Sequence, residues 1–239
     1  MIIVQFVGAI VIGYLLGSLP FGLWIGRRNA NVDVREYGSG RTGTTNVLRA
    51  AGRKAAALVA ALDTLKGVLA VVFAGLIVGD GYIGVGSFGI GVTVVQVLAA
   101  LAAVAGHIWP VFLKFRGGRG VAPFAGGLVV LCWPAIIFGA IVMAAVIGIT
   151  RYVSLGSIVG VVGTFVILVP LTIIKGFPIE YLFYTLVGAI WIAVMHRGNI
   201  SRLLAGTELK LGEKAKKRKM FPSAPQNQDS PTRETGSTG

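Results

Sequence analysis

The chain has 239 residues, of which 55% are hydrophobic and only 13% are charged, and its mean hydropathy is +0.81. This composition is too apolar for a water-soluble domain of that length, so the chain belongs in a lipid bilayer. A net charge of +13 suggests nucleic acid as the partner of a soluble protein. In a membrane protein, basic cytoplasmic loops account for that charge, and we expect no nucleic-acid partner.

The residues that bind metals or form disulfides are few. Cys132 is the single cysteine and lies in an apolar stretch. The two histidines, His107 and His196, have no Cys or HExxH partner spacing, and carboxylates are scarce. The glycine-rich segments match neither the P-loop nor a strand-linked dinucleotide motif. We therefore expect no metal and no cofactor.

Apolar runs long enough to cross a membrane recur along the chain. A helix needs about 20 residues to cross the hydrocarbon core. No internal repeat is evident, which disfavours the transporter folds built from repeats. The runs lie at about 2–25, 55–78, 84–109, 121–149, 155–174 and 180–195.

The fourth run is interrupted at Cys132-Trp133-Pro134. Proline removes a backbone donor and favours the start of a helix just after such a break. We predict two short helices around Pro134. The result is an all-α polytopic membrane protein with seven transmembrane helices.

The distribution of Lys and Arg predicts the orientation. With seven spans, an external N-terminus leaves nearly every basic residue on the cytoplasmic side, together with the C-terminus. With six spans, Arg151 and the basic tail would be external. We expect one transmembrane domain over residues 1–210 and a tail over 211–239 that is first basic and then disordered.

The first polar loop contains the run Gly38 to Arg49, GSGRTGTTNVLR. Its glycines allow close backbone approach, and its hydroxyls, amide and guanidiniums suit phosphate oxygens. This pattern predicts phosphate binding by Gly40, Thr45 and Asn46. An ordinary basic juxtamembrane loop is the alternative.

The second polar loop places Gly117, Gly118 and Gly120 around Arg119, just before an apolar run. We expect their amides to converge on a phosphate, with the arginine fork and the positive end of the next helix beside them. The alternative is a tight turn whose arginines reach lipid headgroups. Two basic glycine loops on one face favour the phosphate site.

Four further residues are expected to support the structure. Asp63 and Lys66 lie at i and i+3 inside a span, where they can form an ion pair that supports the first loop. His107 lies at a membrane boundary, where a hydrogen-bonded structural role is the usual one. Glu208 follows several arginines, and we expect it to pair with them.

Three segments in the same order resemble the bacterial acyl-phosphate:glycerol-3-phosphate acyltransferase family. Gly38 to Arg49 is similar to its GSGNxGATNxxR motif, Gly106 to Ala122 to GHxxPxFLxFxGGKGVAT, and His196 to Glu208 to HRxNIxRLLxGTE. The likeness extends to about residue 210. The sequence departs from the family pattern at Arg41, Thr44, Arg119 and Pro123, where Asn, Ala, Lys and Thr are usual.

The resemblance implies transfer of a fatty acyl group from acyl phosphate to the 1-hydroxyl of glycerol 3-phosphate. The products are 1-acylglycerol 3-phosphate (lysophosphatidic acid) and phosphate, and the reaction is the first step of bacterial phospholipid synthesis. It implies that Ser39 and Arg49 act in catalysis or in acyl-phosphate binding, and that Ser154, His196 and Asn199 form a polar wall of the site.

The same likeness implies a location and partners. We expect the bacterial inner membrane, an active site that faces the cytoplasm, and a monomer. Its partners are then the bilayer, acyl phosphate and glycerol 3-phosphate.

An acyl phosphate is already activated, so the enzyme has mainly to position the hydroxyl and stabilise developing charge. The proton of the hydroxyl has two possible acceptors, His196 and a substrate phosphate. We favour the phosphate, with His196 and Asn199 orienting glycerol 3-phosphate. The alternative function is a transporter of an anionic solute, which requires charged residues near the midplane; only Asp63 and Lys66 come close.

Overall fold

The fold is known from a computed structural model that describes residues 1–85, 88–213 and 217. Helices dominate it, as the hydropathy pattern predicts. The predicted tail over 211–239 therefore lies outside the described residues, except for 211–213 and 217. The α-helices are α1 (Ile2–Ser18), α2 (Phe21–Ala30), α3 (Thr44–Val78), α4 (Val92–Ile108), α5 (Val121–Leu131), α6 (Trp133–Thr150), α7 (Val153–Lys175), α8 (Ile179–Met195) and α9 (Arg197–Leu204).

Five helical segments are long and apolar enough to cross a membrane, and α8 with α9 would make a sixth if that pair, bent by 59°, is one span. The prediction of a helical polytopic membrane protein is confirmed at this level. Many large apolar side chains on these helices are exposed, as lipid-facing residues are. The five segments are Ile2–Ala30, Thr44–Val78, Val92–Leu113, Trp133–Thr150 and Val153–Lys175.

The helix break predicted near Pro134 is present. Helix α5 ends at Leu131, Cys132 leaves the helical conformation, and Pro134 lies in the first turn of α6. Only one of the two helices is short, however. Helix α5 has 11 residues, whereas α6 has 18, because its apolar sequence continues without interruption to Thr150.

The apolar run at 84–109 is not a single helix. Its beginning forms an antiparallel hairpin of β1 (Ile83–Val85) and β2 (Phe88–Ile90), in which Ile83 pairs with Ile90, and α4 starts only at Val92. Several glycines in this stretch weaken a helix, so the hydropathy average hides the turn. The prediction of an all-α fold is therefore wrong at this point, where the chain forms a small two-stranded sheet.

Helix α3 begins well before the apolar run expected from residue 55. It starts at Thr44, and Gly52, with φ of 87°, kinks it before the apolar part begins. The second half of the first polar loop is therefore the first turns of a helix. Two 3-10 turns, Val34–Glu36 and Val111–Leu113, complete the segments around the site.

Helices α3 and α5 pack in close backbone contact. A side chain at Gly67 would collide with the carbonyl of Pro123, and one at Gly126 would collide with the carbonyl of Thr64. Only glycine permits this approach. It brings the N-terminus of α5 beside Asp63, the residue of α3 next to Thr64.

Candidate functional site

A cavity of about 450 Å³ lies where both polar loops meet α6, α7 and the end of α8. Loop residues supply its polar groups, and the helices supply an apolar wall. The side chains and backbone that line it come from Ser39, Arg41, Gly43, Thr44, Thr45, Asn46, Leu48, Ala60, Asp63, His107, Arg119, Gly120, Val121, Ala122, Ala125, Met143, Ile147, Val153, Ser157, His196 and Leu211.

The N-termini of α3 and α5 both border this cavity. Gly43 precedes the first residue of α3, Gly120 precedes the first residue of α5, and neither helix has a side-chain cap. The first amides of a helix lack internal partners and carry partial positive charge. Two such ends at one cavity form a site for an anion.

Arg119 adds a full positive charge to this site. Its Nε atom is buried and has no hydrogen-bond partner among the residues that the structure describes. Burial lowers the pKa of Arg119 to about 10, with attraction by Glu208 opposing the shift and repulsion by Arg41 adding to it. The guanidinium stays charged at neutral pH, so it is available to an anionic ligand.

His196 follows the last residue of α8 and is buried. Its Nδ1 atom lies 2.7 Å from the carbonyl oxygen of Ile192. Because a carbonyl only accepts, Nδ1 carries the proton and Nε2 keeps its lone pair. Burial, with repulsion by Arg119, lowers the pKa of His196 to about 4. The imidazole is therefore neutral at pH 7.

Glu208 is the centre of a buried hydrogen-bond network. Its Oε1 atom accepts from Ser154 Oγ at 2.9 Å and from Asn199 Nδ2 at 2.5 Å, and its Oε2 atom accepts from Arg202 Nε at 2.7 Å. The predicted pairing of Glu208 with an arginine is confirmed. Ser154 and Asn199, which we expected in the wall of the site, use these donors on Glu208 and do not line the cavity.

Arg49 is likewise held next to the cavity and does not line it. Its Nη2 atom donates to the carbonyl of Leu209 at 3.0 Å. Leu209 belongs to residues 207–213, which we call the C-terminal strap. The amide of Leu211 donates to the carbonyl of Arg151 at 2.7 Å, and Leu211 borders the cavity. Leu211, the first residue of the predicted tail, therefore contacts the segment between α6 and α7.

Asn46 organises the first loop. Its Nδ2 atom donates to the carbonyls of Val34 at 2.7 Å and Arg41 at 2.8 Å, and its Oδ1 atom accepts from the amide of Ser39 at 3.2 Å. Both donors of the amide are used, so Asn46 has none left for the phosphate that we expected it to bind. It positions Ser39 and Arg41, which line the cavity. Gly40 forms a turn with φ of 69° and lies outside the lining.

The second loop differs from the expected cradle. The amide of Gly117 donates to the carbonyl of Ile108 at 3.1 Å and that of Gly118 donates to the carbonyl of His107 at 2.9 Å. These two amides satisfy the C-terminal carbonyls of α4 and do not face a ligand. Of this loop, Arg119, Gly120 and the start of α5 remain available to an anion.

The predicted ion pair within α3 is confirmed. Lys66 Nζ lies 2.5 Å from Asp63 Oδ1 and also donates to the carbonyl of Leu19 at 2.6 Å, where α1 ends. His107 Nδ1 lies 3.6 Å from the same carboxylate oxygen. Asp63 and His107 also border the cavity, a position that the sequence pattern did not predict.

The apolar wall was not predicted at all. Met143 and Ile147 of α6 line the cavity, together with Leu211 of the strap. These residues lie in uniformly apolar stretches or past the family motifs, and nothing in their local sequence distinguishes them from lipid-facing neighbours. Among the described residues, no three His, Cys, Asp or Glu side chains cluster as metal ligands would.

Comparison with known proteins gives consistent matches. The glycerol-3-phosphate acyltransferase family profile matches residues 7–206. Glycerol-3-phosphate acyltransferase 3 of Dehalococcoides mccartyi is 56% identical, over 90% of this chain and all of its own. Glycerol-3-phosphate acyltransferase of Gloeobacter violaceus is 43% identical, over 84% of this chain and 93% of its own.

Solved structures agree with the sequence matches. The crystal structure of PlsY (YgiH), an integral membrane glycerol 3-phosphate acyltransferase, in its glycerol 3-phosphate form has a TM-score of 0.75 and 36% identity. The match covers 87% of this chain and 96% of that one. The lysophosphatidic acid form of PlsY gives a TM-score of 0.73 at 35% identity. This chain belongs to the glycerol-3-phosphate acyltransferase family.

Proposed function

We propose that this protein transfers a fatty acyl group from acyl phosphate to the 1-hydroxyl of glycerol 3-phosphate, the first step of bacterial phospholipid synthesis. The names of its relatives, and the glycerol 3-phosphate and lysophosphatidic acid forms of PlsY, support the acceptor and the product. One observation in this chain carries the proposal. Ser39, Arg119 and His196 border a single cavity with two helix N-termini and an apolar wall.

This cavity suits both halves of an acyl phosphate. The helix ends and Arg119 offer positive charge to the phosphate. Met143, Ile147 and Leu211 offer an apolar surface to the acyl chain. The cavity has a volume of about 450 Å³ and lies beside α6 and α7, so a long acyl chain can continue from it between the helices into the bilayer.

The reaction is an acyl transfer to an alcohol. The 1-hydroxyl oxygen of glycerol 3-phosphate attacks the carbonyl carbon, and the bond between that carbon and the phosphate oxygen breaks. Negative charge builds up first on the carbonyl oxygen and then on the departing phosphate. Arg119 and the amides that begin α3 and α5 stabilise this charge, and Ser39 donates to it from the first loop. Arg49, held at Leu209, contributes its charge from just outside the cavity.

The hydroxyl proton goes to a substrate phosphate. His196, with a pKa of about 4, is a weak base at neutral pH. A phosphate monoester with a second pKa near ~6 is the stronger acceptor by about a hundredfold in proton affinity. The Nε2 lone pair of His196 instead accepts a hydrogen bond from the other free hydroxyl of glycerol 3-phosphate and so orients the substrate. Asn199 acts through Glu208 as a positioning residue.

The proposed topology has seven passes, with the short α5 counted as one, and an external N-terminus. The basic residues at the site, including Arg41, Arg119 and Arg151, then share the cytoplasmic side. Acyl phosphate and glycerol 3-phosphate reach the site from that side, and the protein acts as a monomer in the inner membrane.

The test is an assay on the purified full chain in detergent, with acyl phosphate and glycerol 3-phosphate. We expect phosphate release that depends on glycerol 3-phosphate, together with formation of lysophosphatidic acid. Acyl-coenzyme A in place of acyl phosphate is the matched donor control. Release with no dependence on glycerol 3-phosphate, or transfer only from the control donor, contradicts the proposal. A transporter would show neither product.

A further inference from the structure

Arg41 is the residue of the first loop that departs most from the family pattern, because a guanidinium stands where an asparagine is usual. Arg41 lines the cavity, and its charge acts on Arg119. Its backbone is fixed, since its carbonyl accepts a hydrogen bond from Asn46 at 2.8 Å. The arginine is thus built into the site and is not a loose surface charge.

Within residues 1–85 and 88–213, neither Arg41 nor Arg119 has a carboxylate at salt-bridge distance. Two carboxylates lie near this part of the site, and both have partners: Glu208 accepts from three other side chains, and Asp63, which borders the cavity, pairs with Lys66. Two guanidiniums that border one cavity, with Arg197 as a third charge acting on Arg41, repel one another. The N-termini of α3 and α5 add charge of the same sign.

This cluster of positive charge is electrostatically unfavourable in an empty cavity. A bound anion of high charge makes it favourable. A phosphate dianion presents enough oxygens to accept from two guanidinium forks at once. A carboxylate carries a single negative charge, which does not balance two guanidiniums, and an alcohol carries none. The unpaired Nε of Arg119 supplies a donor that no described protein group uses.

We infer that Arg41 is a second phosphate-binding residue, which together with Arg119 holds the phosphate group of one of the two substrates. The inference rests on the proposed function and adds to it a residue that the family pattern lacks. It predicts tighter phosphate binding here than in a site with asparagine at this position.

The test uses three variants of the full-length protein. Arg41→Asn introduces the usual family residue, which the loop accommodates. Arg41→Lys keeps the positive charge but loses the planar guanidinium that can donate two parallel hydrogen bonds. Arg53→Gln is the control, because Arg53 is an exposed cation of α3 that does not line the cavity. KM is measured separately for acyl phosphate and for glycerol 3-phosphate, with inorganic phosphate as inhibitor.

We expect Arg41→Asn to raise one KM and the inhibition constant of phosphate about tenfold each, which corresponds to one charge-assisted hydrogen bond. The KM that rises identifies the substrate that Arg41 contacts. Arg41→Lys should lie between wild type and Arg41→Asn, and Arg53→Gln should match wild type. Unchanged constants in Arg41→Asn, or equal effects in Arg53→Gln, overturn the inference.

Calorimetric titration with inorganic phosphate separates this inference from the proposed function. In one outcome, the wild-type protein transfers no acyl group yet binds phosphate about tenfold more tightly than Arg41→Asn does. That result contradicts the proposed reaction and supports phosphate binding by Arg41. If the wild-type protein transfers the acyl group but the two proteins bind phosphate equally, the result contradicts phosphate binding by Arg41 and supports the proposed reaction.

Discussion

Asn199 and Glu208 are joined by a hydrogen bond of 2.5 Å between Nδ2 and Oε1, across the turn that follows α9. The same carboxylate also holds Ser154 at the start of α7. Three of the polar residues that the sequence associates with the site are thus parts of one buried network. Its function is to fix the end of α8, and with it His196, against α7.

Replacing Glu208 by Gln should impair this network. An amide has only one oxygen to accept from three donors, so at least one buried donor loses its partner. We expect the free energy of unfolding to fall by about 3 kcal/mol, and the measurement is thermal unfolding in detergent. Glu213→Gln is the matched control, because Glu213 is exposed. Equal stability of both variants would contradict the network's structural role.

The stability should also depend on pH through this carboxyl. Burial raises the pKa of Glu208, but hydrogen bonds from Asn199, Ser154 and Arg202 outweigh burial and lower it below the ordinary 4.5. A lowered folded-state pKa gives stability that is present above pH 4.5 and is lost as the pH falls. The difference in melting temperature between wild type and Glu208→Gln should therefore shrink below pH 4.5. A constant difference down to pH 3 would refute this.

His196→Gln distinguishes the two candidate bases. If a substrate phosphate takes the proton, the variant should lose about ten- to a hundredfold in kcat through poorer orientation of the hydroxyl. Its pH-rate profile should keep the wild-type shape, because the pKa of His196 near 4 lies below the working range. A collapse to background at every pH, with glycerol 3-phosphate binding intact by calorimetry, would make His196 the base.

The apolar wall should determine which acyl chains react well. Ile147→Trp fills the wall from α6, and we expect kcat/KM for long-chain acyl phosphates to fall about tenfold more than for short ones, in proportion to the buried methylenes that are excluded. Ile141→Trp is the control, because Ile141 is in the same helix and 63% exposed. Equal losses for long and short chains would exclude Ile147 from the acyl site.

The Asp63–Lys66 pair should stabilise the protein only as a pair. Lys66→Met leaves a buried carboxylate without its cation and should lower the free energy of unfolding by about 3–5 kcal/mol. Asp63→Asn combined with Lys66→Met should recover part of that loss, as a double-mutant cycle measures. Additive losses would mean that the two side chains act independently.

Local sequence predicted those features that depend on neighbours in the chain. Pro134 marks a helix break because its ring acts on its own backbone. Asp63 and Lys66 pair because a helix places i and i+3 on one face. The arginine partner of Glu208 is six residues away, within reach of one turn.

The features that sequence did not predict depend on contacts between distant segments. The amides of Gly117 and Gly118 bind the end of α4, although the same pattern suits a phosphate cradle. The sequence pattern suggests that Asn46 binds phosphate, yet its side-chain amide donates to the carbonyls of Val34 and Arg41. Strands β1 and β2 have the hydropathy of a helix, and although their glycines weaken a helix, it is the pairing between the strands that determines their conformation.

The C-terminal strap has a consequence for biosynthesis of the protein. Leu209 holds Arg49, Glu208 holds Ser154, and Leu211 borders the cavity, so residues made after the last membrane helix complete a site whose first loop is made early. A nascent chain still tethered to the ribosome by its last membrane helix lacks these contacts. The site can therefore assemble only after the final membrane helix has been released into the bilayer, and a reactive acyl donor meets a finished enzyme.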